Sequence, residues 1–441
     1  MPAPLFVIDT PAAPPAEADV VVIGAGIVGV SAAYWLARGG QRVVLLEKGR
    51  VGAEQSSRNW GWCRQQNRDA RELPLATHSL TLWEEMAADI GQDLGFRRCG
   101  LLYLSDDAAE LEGWARWGNF ARGEGVDTRM LSRAETADKG AATGRTWAGG
   151  VWSPTDGTAD PSRAAPMIAR GVLQHGGTVV QNCAARGLEL AAGAVCGVVT
   201  ERGTIRTRQV VMAGGAWAGS FVRQLGVRFP QSSVRSSIMS VGPGAQGVPK
   251  ALHTARVSVT RRGDGGYTLA VSGNGRIDPT PGMFTDLRHF LPMFTRRWRS
   301  LAPGGLQAWR AGFDGYARWR LDRPTPMEAV RILDPRPDRR TIDTTLARAC
   351  DMLPALRGLP VQAAWAGYID STPDGVPVID ADIGIPGLLL AAGFSGHGFG
   401  IGPGAGRLVA DLLLGRPPIT DVAQYRLSRF DRSAWGKVSE F

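Results

Sequence analysis

The chain has 441 residues, 44% of them hydrophobic and 21% charged, enough for two or three domains' worth of ordinary globular core. Its formal charge is +9, and arginine supplies nearly all of the 50 basic residues, but these are scattered along the chain, which argues against a nucleic-acid surface. The five cysteines lie far apart, with no C-x-x-C and no His/Cys grouping at ligand spacing; they exclude a disulfide framework or metal centre and point to reduced thiols in a cytoplasmic protein.

Residues 1–18 carry no basic residue and are broken by prolines, so they read as an extended arm and not as a targeting segment. The next stretch, "DVVVIGAGIVGVSAAYWLARGGQRVVLLEKG", is the clearest in the chain. Val20–Ile23 predicts a buried parallel strand, and Gly24 to Gly29 spell G-x-G-x-x-G. Ile27, Val30, Tyr34 and Ala37 then recur at helical spacing, and 42–46 predicts a second strand ending at Glu47. No apolar run reaches membrane-spanning length; residues 20–37 come nearest but divide into strand, turn and helix.

Farther along, 163–177 predicts a helix followed by the strand "TVVQNC", and 208–219 an apolar strand running into a glycine turn. Between about 230 and 340 the helix–strand rhythm gives way to Gly, Pro, Arg and alternating strands, with a hairpin in "VSVTRRGDGGYTLAVSG". "CGLLYLSDD", near residue 100, has the same character. The end returns to α/β: the strand "GLLLAAG", a glycine cluster, and a predicted helix over 404–414.

The first glycine motif has a mechanical reading. Gly24 permits the tight turn, Gly26 lets backbone amides approach a pyrophosphate, and Gly29 packs helix on strand. Ile27 and Val28 open the helix, whose amides and dipole favour phosphate. Glu47, followed by Lys48, is placed to bind ribose hydroxyls. These features fit NAD or FAD alike. The C-terminal cluster Gly396, His397, Gly398, Phe399 and Gly400 favours FAD, because a second helix N-terminus would stabilise negative charge on a reduced flavin ring.

Four stretches in one order, "VVVIGAGIVGVSAAYWLA", "VVMAGGAWA", "WAGYIDSTPDGVPVID" and "GFSGHGFG", resemble the family of D-amino-acid oxidase, glycine oxidase and monomeric sarcosine oxidase, over residues 19 to about 414. "SSRNWGW" is similar to the corresponding stretch of the γ-glutamylputrescine oxidase branch. The resemblance implies a Rossmann-like α/β FAD-binding domain assembled from 19–95, 150–228 and 355–430. It also implies a substrate-binding domain, from 96–149 and 229–354, built on a large mixed or antiparallel sheet. Three positions depart from the family pattern. Gly367 stands where sarcosine oxidases carry a flavin-attaching cysteine, so FAD is expected to be non-covalent. Gly400 stands where they carry a lysine that helps hold the substrate carboxylate, and Ile369 where glycine oxidases carry an arginine.

With those clamps missing, the polar run "SSRNWGWCRQQNRD" over 56–69 becomes the expected substitute. The resemblance implies that Ser56 and Ser57 bond FAD phosphate or ribitol while Asn59, Trp60 and Gly61 pass beside the ring. Arg64 is the expected carboxylate ligand, since a guanidinium fork matches a carboxylate, with Gln66 as a polar neighbour and Arg68 in reserve. His397 or Lys250 is expected to supply a cation near the flavin, and Trp217, Trp365 and Tyr368 to wall the pocket. Ala185 and Gly214 complete the expected cofactor contacts.

The reaction so implied is oxidative deamination of a free α-amino acid, by hydride transfer from Cα to flavin N5, giving a 2-oxo acid, ammonia and H2O2. An L-amino acid is favoured because the clamps of the D-oxidase and glycine-oxidase branches are absent. A dehydrogenase passing electrons to another acceptor, and an oxidase of N-alkyl amino acids or polyamines, are the alternatives. The expected partners are the small amino acid and O2, with no metal, no nucleic acid and no membrane; the sequence leaves homo-oligomerisation open.

Overall fold

The β-branched runs near the start of the chain sit at the centre of a six-stranded sheet in the computed structural model, which describes residues 3–315 and 318–431. The strand order is Val378–Asp380, Leu388–Ala392, Gln209–Met212, Val20–Ile23, Val43–Leu46, Thr178–Val180. All neighbours are parallel except Val378–Asp380, which closes one edge antiparallel. Side chains alternate between two cores, as strand geometry requires. Val20 and Val22 face a helical layer that includes Ile27–Arg38, Leu73–Ile90, Ala164–Gln174 and Gly398–Leu413. Val21 and Ile23 face a second core that includes residues of the three-stranded antiparallel sheet spanning 185–206.

A larger mixed sheet forms the rest of the core. Its order is Leu301–Pro303, Gly275–Ile277, Ser232–Val241, Tyr267–Ala270, Ser258–Arg261, Ala251–His253, Leu101–Ser105, Gly149–Ser153, Arg129–Leu131, and Val361–Ser371 pairs along Ser232–Val241. Two of its joins are parallel, Ala251–His253 with Leu101–Ser105 and Gly275–Ile277 with Leu301–Pro303. The α/β class and the two-sheet plan expected from sequence are therefore present, but the strand memberships shift two of the expected boundaries. Gly149–Ser153 and Val361–Ser371 belong to the large sheet, although residues from 150 and from 355 were assigned to the cofactor part. Local alternation identifies a strand without saying which sheet takes it.

The last helix begins at Gly398 and not at 404. Pro403 lies inside it and cannot donate a backbone hydrogen bond, which is what made the earlier start unreadable. The neighbouring helix Leu73–Ile90 compensates: Trp83 Nε1 donates to the Gly400 carbonyl at 3.1 Å, and Ser79 Oγ accepts from Gly404 N at 2.9 Å. Glycine on its other side lets it approach the helix Ile27–Arg38. A Cβ at Gly402 would come within 2.8 Å of Ile27 Cγ1, and one at Gly406 within 2.4 Å of Ser31 Cβ.

Placing valine at Gly406 should therefore force these two helices apart. The expected loss is about 1–3 kcal/mol, as for other overpacked core positions. Thermal unfolding of Gly406→Val beside the parent chain checks this; an unchanged midpoint would mean that the close approach carries no stability.

Candidate functional site

The starts of the helices Ile27–Arg38 and Gly398–Leu413 line one cavity of about 480 Å³, together with residues from both sheets. At one end the turn after Val20–Ile23 makes a close cradle. Gly24 has φ +100°, and a Cβ there would lie 2.5 Å from the Ala213 carbonyl oxygen. A Cβ at Gly29 would lie 1.9 Å from the Gly24 carbonyl oxygen, so Gly29 serves the packing and does not line the cavity. Ser56 Oγ accepts from Ile27 N at 2.8 Å, which caps the helix and leaves the hydroxyl proton for an anion.

Glu47 stands at the mouth of this cradle. Its two oxygens accept from Ala25 N at 2.9 Å and Gly49 N at 2.8 Å, and burial pushes its carboxyl pKa above the usual range. Each oxygen retains a lone pair for a hydroxyl. Lys48 is otherwise engaged. Its Nζ bonds Glu54 and the carbonyls of Val330 and Arg331, and it lies 4.8 Å from the Trp217 ring centroid. Trp217 Nε1 is buried without a hydrogen-bond partner among the described residues, in a side chain that lines the cavity. Such an orphaned donor, beside a cradle that admits no Cβ, suits a bound polar group. Ala185, Gly214, Gly367, Asn59, Trp60 and Val28 also line the cavity. Ser57 and Gly61 do not: Ser57 Oγ donates to the Glu54 carbonyl at 3.3 Å, and Gly61, with φ +82°, turns the chain against Ala159.

The other end of the cavity is basic and aromatic, with Trp62, Arg64, Arg68, Tyr103 and His253 in its wall. The polar run is held by Asp156, whose buried carboxylate accepts from Gln65 N at 2.7 Å and Gln66 N at 3.2 Å. Arg64 Nη1 donates to the Gln66 carbonyl, and Arg68 Nε to the Arg64 carbonyl at 3.3 Å. Arg68 Nη1 is buried without a hydrogen-bond partner among the described residues, and the Tyr103 hydroxyl is buried beside Arg64. Burial first, and the charge of Arg64 second, lower the Arg68 pKa to about 10. The acidic residues lining the cavity are Glu47, Glu54 and Asp370, and neither arginine is hydrogen-bonded to any of them. Two guanidiniums in such a wall call for an anion.

Several expected residues are elsewhere or act differently. Gln66 does not line the cavity, because the bonds from Asp156 turn its side chain outward to Thr128 Oγ1 at 2.7 Å and Asn67 Oδ1 at 3.0 Å. Lys250 is exposed at the start of a strand and does not line the cavity either. Trp365 is buried in a cluster with Ile238, Ala270 and Ala363, with Trp60 packed over it. Tyr368 does line the wall, but its hydroxyl donates to Asp278 Oδ2 at 2.7 Å. His397 lines the cavity with Nδ1 2.7 Å from Glu72 Oε2. Burial, then Arg68, lower its pKa to about 4, so it is neutral at ordinary pH and not the expected cation.

Tyr103 and His253 were not expected from sequence, whereas Trp62 ends the run 58–62 whose backbone was expected to pass beside the ring. Tyr103 and His253 are register partners across a parallel join, with ring centroids 5.0 Å apart, and Trp62 lies 6.0 Å from His253. Burial, then Arg64, lower the His253 pKa to about 4. The one available signal was a titratable side chain within the apolar strand Ala251–His253. The family departures also have steric causes. A Cβ at Gly367 would lie 3.3 Å from Arg58 Cβ and Cδ, and one at Gly400 2.8 Å from the Trp62 carbonyl oxygen.

Comparison with known proteins agrees with this geometry. Residues 19–412 match the family described as FAD dependent oxidoreductase (DAO). The chain is 27% identical to sarcosine oxidase subunit beta of Rhizobium meliloti (strain 1021), covering 94% of this chain and 88% of that one. It is likewise 27% identical to glycine oxidase of Pseudomonas aeruginosa, covering 92% and 97%. An L-amino acid deaminase from Proteus myxofaciens, solved in complex with anthranilate, superposes with a TM-score of 0.92 at 28% identity, over 98% of this chain and 97% of that chain. The chain thus belongs to the FAD-dependent oxidoreductase family named DAO, whose members compared here act on amino acids or their N-methyl derivatives.

Proposed function

We propose that this flavoprotein oxidises a free α-amino acid, with an L-amino acid preferred, and that Arg64 holds the substrate carboxylate. The observation that carries this reading is the pair Arg64 and Arg68 in an aromatic cavity wall, with Arg68 Nη1 buried without a hydrogen-bond partner among the described residues. FAD belongs at the glycine cradle, with Ser56 and the opening amides of Ile27–Arg38 toward its phosphates and Glu47 toward ribose. Bound there, FAD supplies the two-electron acceptor for oxidation of the substrate C–N bond. Attachment is non-covalent: Gly367 has no nucleophile, and the cysteine that lines the cavity, Cys183, is a buried thiol whose pKa burial raises.

The remaining chemistry is positioning. A guanidinium fork takes a carboxylate by two parallel bonds and so fixes Cα. Trp62, Tyr103 and His253 offer flat apolar surface to the side chain. The two arginine charges also disfavour an ammonium group beside them, which favours the neutral amine. Neutral His253 and His397 add no further positive charge. The preference for an L-amino acid draws support from the likeness to the L-amino acid deaminase of Proteus myxofaciens.

A second reading concerns the electron acceptor. The two residues expected to assist O2 do not add a cation to the cavity wall, since Lys250 does not line it and His397 is neutral. That favours an acceptor other than O2. Peroxide formed per 2-oxo acid in air separates the two: a ratio near one marks an oxidase, and turnover that needs an added acceptor marks a dehydrogenase.

Arg64→Ala should lose about 1.5–3 kcal/mol of transition-state binding, roughly 10- to 150-fold in kcat/KM for amino acids. Arg64→Lys should recover only part, because a point charge lacks the fork. Turnover of both enantiomers of an amino-acid panel measures this, and undiminished turnover by Arg64→Ala would remove the proposal.

The histidines predict a pH dependence. Each has a folded pKa near 4 against 6.5 for an unperturbed imidazole, so between these values the unfolded chain binds more protons. Their contribution to stability is present above about pH 6.5 and is lost as pH falls toward 4. Thermal midpoints of the parent and of His397→Asn, at pH 7.5 and pH 5, test the sign. The drop on acidification should be smaller in the variant.

A further inference from the structure

Before the helix Arg339–Met352 the chain leaves the large sheet and returns to the end of the cavity where Glu47 stands. Met327 is the one described residue between 273 and 366 that lines the cavity. It is buried in the same core as Cys183, Ala185 and Trp217, which line this end as well. An unbranched thioether adapts its shape to what lies beside it. Locally, little holds this stretch. Thr325 and Glu328 form a capping box with Pro326 in the first turn, but the helix Pro326–Ala329 has four residues and is too short to be stable alone.

Charged contacts to other elements hold it instead. Arg186, on the strand Ala185–Ala191, donates Nε and Nη2 to the two oxygens of Glu328, each at 2.9 Å. Arg331 donates Nη1 and Nη2 to the two oxygens of Glu201, and Nη1 also to the Lys48 carbonyl at 3.1 Å. The Lys48 ammonium in turn donates to the carbonyls of Val330 at 3.0 Å and Arg331 at 2.9 Å. Glu54 Oε1 accepts from Lys48 and from Leu333 N at 3.0 Å, and Arg58 Nη1 donates to Asp334 at 2.6 Å. Gly49 permits this approach, since a Cβ there would lie 2.3 Å from the Arg331 carbonyl oxygen.

Residues 325–334 therefore span two walls of the cavity. Lys48, Glu54 and Arg58 belong to one wall and Ala185, next to Arg186, to the other. A segment held across a cavity end by ion pairs, with one apolar side chain turned inward, can let go and close again without unfolding the cores on either side. Both arginine–carboxylate pairs have the parallel two-bond geometry that makes such a closure specific. We infer that 325–334 is a clasp over the nucleotide end of the FAD site, that the cofactor passes only when it opens, and that Arg186–Glu328 and Arg331–Glu201 hold it shut. The inference rests on the placement of the nucleotide at the glycine cradle and is independent of the substrate reading.

The test follows free-flavin fluorescence after dilution of the FAD-loaded full chain, which gives both the release rate and Kd. Arg186→Gln with Arg331→Gln should release FAD about tenfold faster while Kd changes less than about threefold, because weakening a gate speeds entry as well as release. Raised salt should speed release from the parent chain and act much less on the double variant. Glu47→Gln, which alters the nucleotide site and not the clasp, should raise release and Kd together. Release from the double variant at the parental rate would overturn the clasp, as would release from the parent that is indifferent to salt. So would a rise in Kd as large as the rise in release rate, because that marks lost contact or a loosened fold and not a gate. If Glu47→Gln changes neither quantity, the nucleotide lies elsewhere and the inference falls with that placement.

Discussion

The structure depends on how closely two helices can approach. Ile27–Arg38 and Gly398–Leu413 come from opposite ends of the chain, and both must present their N-termini to one cavity. Gly402 and Gly406 bring the second helix onto Ile27 and Ser31, and Gly400 brings its first turn onto the backbone of Trp62 and Cys63. No side chain larger than hydrogen fits at these three points without movement. The same closeness brings the polar run into the cavity wall. Once Gly400 lies against Trp62 and Cys63, Arg64 and Arg68 follow within one turn of chain, and Asp156 holds that turn by two backbone amides.

This arrangement bears on two of the three departures from relatives, Gly400 and Gly367. A lysine cannot replace Gly400 because the Trp62 carbonyl occupies the space, and a larger residue at Gly367 would press on Arg58. Arg58 is itself fixed, through bonds to the carbonyls of Ala53 and Ala366 and to Asp334. With those positions closed, positive charge at the basic, aromatic end of the cavity comes from the strand-to-helix connection that precedes Leu73–Ile90. Burying Arg68 beside Arg64 is costly, as its lowered pKa indicates, and the charges of Glu72 and Asp156 offset that cost only in part. A site of this kind is selective because an uncharged ligand would leave the guanidiniums unpaired.

Much of this was legible in the sequence where local chemistry and position coincide. The Gly24 to Gly29 turn and the strand ending at Glu47 follow from residues within thirty positions of one another. Arg64 was legible because the polar run is so unlike its surroundings. What could not be read depended on register between distant strands. His253 meets Tyr103 only through a parallel join linking residues 150 positions apart, and nothing in either strand announces it. Gln66 and Trp365 were expected in the cavity because they neighbour cavity residues in sequence. A backbone pinned by Asp156 and a strand face covered by Trp60 send them elsewhere. Pro403 hid the first turn of a helix because its compensating bonds come from Ser79 and Trp83, more than 300 residues earlier.

The crossover helix Pro281–Arg297 is tied to the cavity by one buried carboxylate. Asp278, just before the helix Pro281–Arg297, accepts from Arg235 at 2.7 Å, from the Tyr368 hydroxyl at 2.7 Å and from Gly305 N at 2.7 Å. Tyr368 lines the cavity, Arg235 belongs to the central strand Ser232–Val241, and Gly305 follows the edge strand on the far side of the crossover. A carboxylate with this many donors is fixed in its geometry, since removing any one donor would leave a buried group unpaired. Both ends of this segment are therefore fixed to the same atoms that position a wall residue. The segment cannot pivot at its base without breaking that cluster, so its orientation relative to the cavity is set by the fold.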